Sequence, residues 1–135
     1  MLVSSTAECP PFIANDGCLI REVLHPAKTG VPLPYSLAVA EVAPGACTRR
    51  HRLAQDEVYY LVEGVGRMHI DDQVRSVVVG DAVHIPGGCV QWIENIGRDA
   101  LRFIALVSPP WTSSGDSKRE PSRPSSSRLP VLIPG

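Results

Sequence analysis

The sequence predicts an all-β domain that closes into a barrel or a sandwich. Between residues 36 and 107 it consists of short runs rich in Val, Ile, Leu and Tyr, separated by Gly, Pro or Asp. β-Branched and aromatic side chains suit a pleated, half-buried surface, and Gly and Asp provide turn conformations. No segment combines a 3.6-residue apolar period with caps at both ends. Closure of the sheet is the usual way for such a chain to remove its exposed edges.

The predicted strands follow one another in short order along the chain. The first, CLIREVL at residues 18–24, precedes a proline-broken connection at residues 25–34. The others are SLAVAEV (36–42), EVYYLVE (57–63), RMHID (67–71), SVVV (76–79), AVHIP (82–86), VQWIE (90–94) and LRFIALV (101–107). The glycines between them are expected at turns that need a positive φ or a close backbone approach.

One domain accounts for the 135 residues, of which 44% are hydrophobic. Residues 1–35 are expected to form an N-terminal strand and a connection packed on the barrel, and residues 36–112 the barrel itself. Residues 113–135 are expected to form a disordered or extended tail. Its first part, SSGDSKREPSRPSSSR, has almost no apolar side chain to bury, so it cannot offset the entropy lost on ordering.

The charge balance excludes a strongly basic protein. Thirteen Lys and Arg stand against fourteen Asp and Glu, which argues against nucleic acid or an anionic membrane as a partner. The N-terminal residues have neither the basic nor the continuous apolar region of a signal peptide, so a cytoplasmic protein is predicted. The four cysteines have no CxxC or zinc-finger spacing and are expected as free thiols.

Two spaced motifs occupy the centre of the sequence. The first, G-x5-H-x-L-x3-E-x6-G, starts at Gly45, and the second, G-x5-P-x-G-x2-Q-x3-N, starts at Gly80. They resemble the paired motifs of the cupin superfamily, G-x5-H-x-H-x3,4-E-x6-G and G-x5-P-x-G-x2-H-x3-N. The resemblance covers residues 36 to about 110. It implies a small single-domain cupin of the cupin-2 type, with the double-stranded β-helix or jelly-roll barrel of that family.

The sequence departs from the family pattern at two positions. Leu53 stands where the first motif has its second histidine, and Gln91 stands where the second motif has its histidine. The wider sequence resembles a branch of small cupins that carry this Leu and Gln. The resemblance to that branch implies no defined activity.

The residues themselves point to a polar site inside the barrel. Residues two apart on a strand share a face, so His51 lies with Leu53, and Glu57 lies with Tyr59. A buried Glu57 carboxylate needs a cation or hydrogen-bond donors. Imidazole and carboxylate suit Fe, Mn, Ni or Zn, and Gln91 adds an amide oxygen. We therefore predict a divalent-metal site of His51, Glu57 and Gln91. The alternative is a metal-free pocket in which Glu57 and Gln91 bind His51 or an uncharged ligand.

Three further residues are predicted to bind the ligand. Tyr59 shares the face of Glu57, Leu53 lies beside His51, and Arg49 belongs to an arginine cluster, with Arg50 and Arg52, that would attract an anion. Solvated loop charge is the alternative for that cluster.

The predicted function is small-molecule binding at this site. With a metal, the site suits Lewis-acid chemistry such as that of isomerases, lyases or dioxygenases. The alternatives are a metal-free binding or sensing module and a structural dimer with a vestigial pocket. A homodimer is predicted, with Tyr60 and Trp92 as external interface residues.

Overall fold

The computed structural model describes residues 1–118, and β-strands dominate this part of the chain. Two 3-10 turns, Thr6–Glu8 and Ser113–Gly115, and one short helix, α1 (Pro26–Thr29), complete it. The strands are β1 (Phe12–Ile13), β2 (Leu19–Leu24), β3 (Ser36–Val42), β4 (His51–Leu53), β5 (Asp56–Glu63), β6 (Val65–Ile70), β7 (Gln73–Val78), β8 (Ala82–Ile85), β9 (Val90–Asn95), β10 (Leu101–Ser108) and β11 (Asp116–Lys118). The all-β prediction is confirmed, and each predicted strand overlaps an observed one.

The strands form two antiparallel sheets. One has the order β1-β2-β3-β10-β5-β8, and the other has the order β11-β4-β9-β6-β7. Some neighbours in the sheets are distant in sequence: β10 lies between β3 and β5, and β9 lies between β4 and β6. This interleaving brings the two sequence motifs together, because β4 of the first motif pairs with β9 of the second.

Glycine is needed at the turn between β5 and β6. Gly64 has φ 89°, and a Cβ there would lie 2.6 Å from the carbonyl oxygen of Ala100. Gly80 also has a positive φ, 94°, but a Cβ there would meet nothing within 4 Å. The first glycine is therefore needed for both conformation and space, and the second for conformation alone.

The core lies between the inward faces of the two sheets. Alternation along β5 and β10 buries Leu61 and Phe103, and the rings of Tyr59 and Phe103 pack with their centroids 4.2 Å apart. Ile93 on β9 closes the core from the opposite sheet. Apolar side chains thus fill one end of the barrel, while the polar motif residues lie toward the other.

Segments before and after the central strands pack on the barrel. On the N-terminal side β2 pairs with β3. On the C-terminal side the backbone N–H of Trp111 donates to Ser36 Oγ at 2.9 Å, and β11 pairs with β4. Within the predicted disordered or extended tail, residues 116–118 are extended and form β11, and backbone pairing orders this segment although it has little apolar area. Residues 119–135 of that predicted tail lie outside the described residues.

The outer face of the second sheet carries an aromatic stack. The rings of His69 and Trp92 lie 4.1 Å apart and nearly parallel, and the guanidinium of Arg50 lies 4.4 Å from the centre of the Trp92 ring. Tyr60, on the other sheet, is 45% exposed. Both predicted interface residues are external, and the homodimer stays a prediction. Residues 1–118 include no helix with the length and apolar character to cross a bilayer.

Candidate functional site

A cavity of about 320 Å³ opens beside the two sequence motifs. Most of its lining is apolar, and these side chains are Phe12, Ile13, Ala14, Ile20, Leu37, Ala38, Leu53, Ala105, Val107 and Trp111. We call His51, Leu53 and Glu57, which lie on β4 and β5, the inner wall. We call Asp16, which lies before β2, and Trp111 and Asp116, which lie after β10, the outer wall.

A chain of hydrogen bonds holds the Glu57 side chain. The hydroxyl of Tyr59 donates to Gln91 Oε1 at 3.0 Å, and Gln91 Nε2 donates to Glu57 Oε1 at 3.0 Å. Burial raises the pKa of Glu57 to about 7, although the nearby His51 acts in the opposite direction. Burial also raises the pKa of Tyr59 well above its usual value, so its hydroxyl remains a donor. Glu57 is therefore a carboxyl group that can gain or lose its proton near neutral pH.

His51 links the barrel to the turn between β1 and β2. Its Nδ1–H donates to the carbonyl oxygen of Arg49 at 3.1 Å, and its Nε2 lies 3.6 Å from Asp16 Oδ2. Asp16 Oδ1 in turn accepts from both the backbone N–H and the thiol of Cys18. Burial, followed by the neighbouring Asp16, raises the pKa of the Cys18 thiol well above its usual value. This thiol is therefore a hydrogen-bond donor that fixes Asp16, rather than a nucleophile.

The C-terminal segment supplies the remaining polar groups. Trp111 Nε1 donates to Asp116 Oδ2 at 2.9 Å, while Asp116 Oδ1 is buried without a partner among the described residues. The backbone N–H of Ala54 donates to the carbonyl oxygen of Gly115 at 2.8 Å, just before β11 begins. The segment is thus fastened to the barrel on both sides of the Asp116 side chain.

As arranged, the side chains present two of the three donors of the metal site predicted from the sequence, and that site stays a prediction. His51, Glu57 and Gln91 come together, but Gln91 directs its amide nitrogen, which is not a metal ligand, toward Glu57. Its oxygen accepts from Tyr59 instead. Residues 1–118 contain no group of three or more His, Cys, Asp and Glu arranged to hold a metal ion. As arranged, the site offers an imidazole and a carboxylate.

Comparison with known protein families shows which family the chain belongs to. A family model described as "Cupin domain" matches residues 38–107, slightly more than half of the chain. The chain is a cupin. The double-stranded jelly-roll barrel implied by the two motifs is confirmed.

Two sequence relatives cover most of this cupin. Uncharacterized protein MJ1618 of Methanocaldococcus jannaschii is 39% identical over 104 residues, which is 76% of this chain and 82% of the relative. Uncharacterized protein SCO3923 of Streptomyces coelicolor is 35% identical over 97 residues, which is 72% of this chain and 85% of the relative. Neither relative's name gives an activity.

Solved structures similar to this cupin include oxalate decarboxylases. A predicted oxalate decarboxylase from Thermotoga maritima has a TM-score of 0.70 at 21% identity, covering 80% of this chain and 99% of that one. Oxalate decarboxylase from Bacillus subtilis has a TM-score of 0.72 at 22% identity, covering 84% of this chain and 30% of that one. Mn(II) centres are described for the Bacillus subtilis enzyme. At these identities the likeness concerns the fold.

The predicted ligand-binding residues have different positions in the cupin. Leu53 lines the cavity, whereas Tyr59 is buried behind Glu57 and reaches the site only through Gln91. Arg49 is not among the described lining residues; its side chain donates to the carbonyl oxygen of Asn15 at 3.3 Å, and its backbone N–H donates to the carbonyl oxygen of Asp16. Arg49 thus holds the turn that carries Asp16.

Sequence reasoning missed the whole outer wall. Asp16 lies in an Asn-Asp-Gly sequence that is typical of an ordinary turn, and Asp116 lies in a segment without apolar residues. Neither belongs to a spaced motif. Only the three-dimensional arrangement brings these residues to the cavity, and the two motifs carry no information about residues outside them.

Proposed function

We propose that this cupin binds a small organic molecule in the cavity, with protein side chains as its polar anchors. The observation that carries this proposal is the form of the cavity: about 320 Å³, mainly apolar, with His51, Glu57 and Asp16 converging on it. Binding sites for small molecules typically have a volume of about 300 to 1,000 Å³ and combine apolar walls with a few placed polar groups. The cavity has these properties without any added group.

The state of Glu57 supports a binding role. This side chain is 7% exposed, and Gln91 is the one hydrogen-bond donor to it among the described residues. A buried carboxyl group with an acceptor to spare is costly unless another partner arrives. A ligand with a donor group in the cavity would supply that partner.

A variant that fills the cavity tests the proposal. Ala38 on β3 lines the cavity, so Ala38→Phe places a ring in it, whereas Val39→Phe on the same strand alters a side chain that does not line it. We expect thermal-shift and NMR titrations with carboxylate, alcohol, amide and amine fragments to detect binding to the wild type and to Val39→Phe. Binding should be lost in Ala38→Phe, with circular dichroism checking that each variant is folded.

Two outcomes would contradict small-molecule binding in the cavity. One is that no fragment class binds the wild type at concentrations near 10 mM, where fragments of about this size bind good pockets. The other is that folded Ala38→Phe binds the same fragments with unchanged affinity.

A divalent metal at His51 and Glu57 is the second candidate, because these two residues occupy the metal-ligand positions of the cupin motif. Gln91 can join as a third ligand only if its amide reverses, which would turn Oε1 toward Glu57 and leave Nε2 facing the Tyr59 hydroxyl. Mn²⁺ at about a hundred times its Kd should then stabilise the fold by roughly 2.7 kcal/mol. Glu57→Gln should abolish that increment, and an unchanged melting temperature of the wild type would argue against this candidate.

A further inference from the structure

The cavity is lined by carboxyl groups with few opposing charges. Four acidic residues line it, Asp16, Glu22, Glu57 and Asp116, and His51 is the one basic residue on its described lining. No Lys or Arg of the described residues lines it. The arginine cluster that suggested an anionic ligand lies elsewhere, because Arg50 is over the Trp92 ring and Arg49 holds the β1–β2 turn.

One acceptor oxygen in this cavity is free when Glu57 is ionised. Glu57 accepts one hydrogen bond, at Oε1, which leaves Oε2 without a donor among the described residues, although the residue is more than nine-tenths buried. Asp116 Oδ1 also has no partner among those residues, but it has almost no accessible surface, so Asp116 acts on a ligand through its charge. Asp16 differs, since its oxygens are directed to Cys18 and His51. The hydrogen-bonding atoms that remain free on the cavity lining are thus mainly acceptors.

We propose that the ligand of this cavity is an organic cation, an amine or amidine with a small apolar body. This inference rests on the proposed small-molecule binding and names the class of molecule. An ammonium or amidinium group has donors and no acceptor, which matches the free oxygen of Glu57. Its charge offsets the excess of carboxyl groups, and its body packs on the apolar lining around Phe12, Leu53 and Trp111.

The same cavity lining disfavours an anionic ligand. A dianion such as oxalate would enter a cavity lined by four acidic residues and one imidazole, and like charges brought together in a partly desolvated site repel one another.

Three probes of matched shape test the charge assignment: benzylamine, benzyl alcohol and benzoate, titrated by NMR against the full chain with EDTA present. We expect benzylamine to bind about tenfold tighter than benzyl alcohol, and benzoate to bind weakest. Asp116→Asn should weaken benzylamine about three- to tenfold and leave benzyl alcohol unchanged, whereas Asp56→Asn, at an exposed position that does not line the cavity, should change neither.

The outcomes separate this inference from the proposal on which it rests. If benzyl alcohol or benzoate binds as tightly as benzylamine, and Ala38→Phe removes that binding, the cavity binds small molecules but the cation assignment is wrong. If benzylamine does not bind while other fragments do, the assignment is also wrong. If Mn²⁺ without EDTA displaces benzylamine and Glu57→Gln prevents this displacement without weakening benzylamine, the acidic wall serves a metal and the organic cation is overturned. If Ala38→Phe has no effect on any probe, both proposals fail.

Discussion

The inner and outer walls of the cavity differ in origin and in state. The inner wall comes from β4 and β5, inside residues 38–107, which match the cupin family. The outer wall comes from the β1–β2 turn and from residues 111–116, outside that match. Glu57 of the inner wall accepts from Gln91 of the barrel, whereas Asp116 of the outer wall accepts from Trp111 of the same wall. The family barrel thus supplies one side of the cavity, and the flanking segments supply the other side with the acidic residues Asp16 and Asp116.

The largest expected effect is on the inner wall, through the pH dependence of stability. The folded-state pKa of Glu57 is raised from 4.5 to about 7, so the folded protein holds a proton there that the unfolded chain releases at lower pH. The stability gained by holding this proton in the folded state is fully present below pH 4.5 and is lost as the pH rises through about 7. Glu57→Gln should therefore be more stable than the wild type at pH 8, by up to roughly 3 kcal/mol, and similar to it near pH 4.5.

Urea unfolding of both proteins between pH 4.5 and pH 8, with EDTA present, measures this difference. The glutamine keeps an acceptor for Gln91 Nε2, so the shape of the site is preserved. Parallel pH profiles for the two proteins would show that burial of Glu57 does not control the stability of the inner wall.

The next effect concerns the part of the outer wall that follows Thr112. A chain that ends at Thr112 lacks β11, the hydrogen bond from Trp111 Nε1 to Asp116 and the one from Ala54 to Gly115. These interactions are partly offset by the entropy of ordering the segment, so we expect a loss of roughly 2 kcal/mol and a melting temperature lower by several degrees.

A chain that ends at Lys118 is the matched control, because it keeps every described strand. The sequence expectation for residues 119 to 128, with almost no apolar side chain, is a change of about 2 °C or less. If both chains melt with the full-length protein, β11 contributes nothing to stability. In that case the outer wall is only loosely attached to the barrel.

The contrast between the walls also explains what the sequence could and could not predict. Strand positions followed from residue type and turn signals, and the motif spacing brought His51, Glu57 and Gln91 together. The direction of the Gln91 amide depends on its hydrogen bond with the Tyr59 hydroxyl. Strand alternation predicted that Tyr59 shares the face of Glu57, but it could not predict that Gln91 is the partner of Tyr59. Asp116 was missed because β11 is held by backbone pairing, which leaves no pattern in the side chains.

A smaller effect is expected from the hydrogen bond inside the outer wall. Trp111→Phe keeps an aromatic ring in the cavity but removes the donor to Asp116 Oδ2, so we expect a loss of about 1 kcal/mol in chemical unfolding. Trp92→Phe, on the outer face of the other sheet, is the control for the change in ring size. Equal benzylamine affinity in Trp111→Phe and in the wild type would show that orientation of Asp116 by Trp111 is unimportant for binding.

The smallest effect is predicted for Arg49→Ala. The side chain makes one long hydrogen bond to the carbonyl oxygen of Asn15, and the backbone bond to Asp16 survives the substitution. Stability should change by no more than about 0.5 kcal/mol, and benzylamine affinity should be unchanged. A tenfold gain or loss of affinity in the titration would place Arg49 at the ligand after all.

The positions of the two tryptophans provide separate optical signals for the two sides of this molecule. Trp111 lines the cavity with a carboxylate at its indole nitrogen, and Trp92 is stacked on His69 at the outer face. In Trp92→Phe the emission comes from Trp111 alone, so displacement of solvent by an entering molecule shifts the spectrum of that indole. In Trp111→Phe the emission reports only what covers the outer face. Fluorescence titrations of the two variants can therefore distinguish filling of the cavity from association of two copies through the outer face.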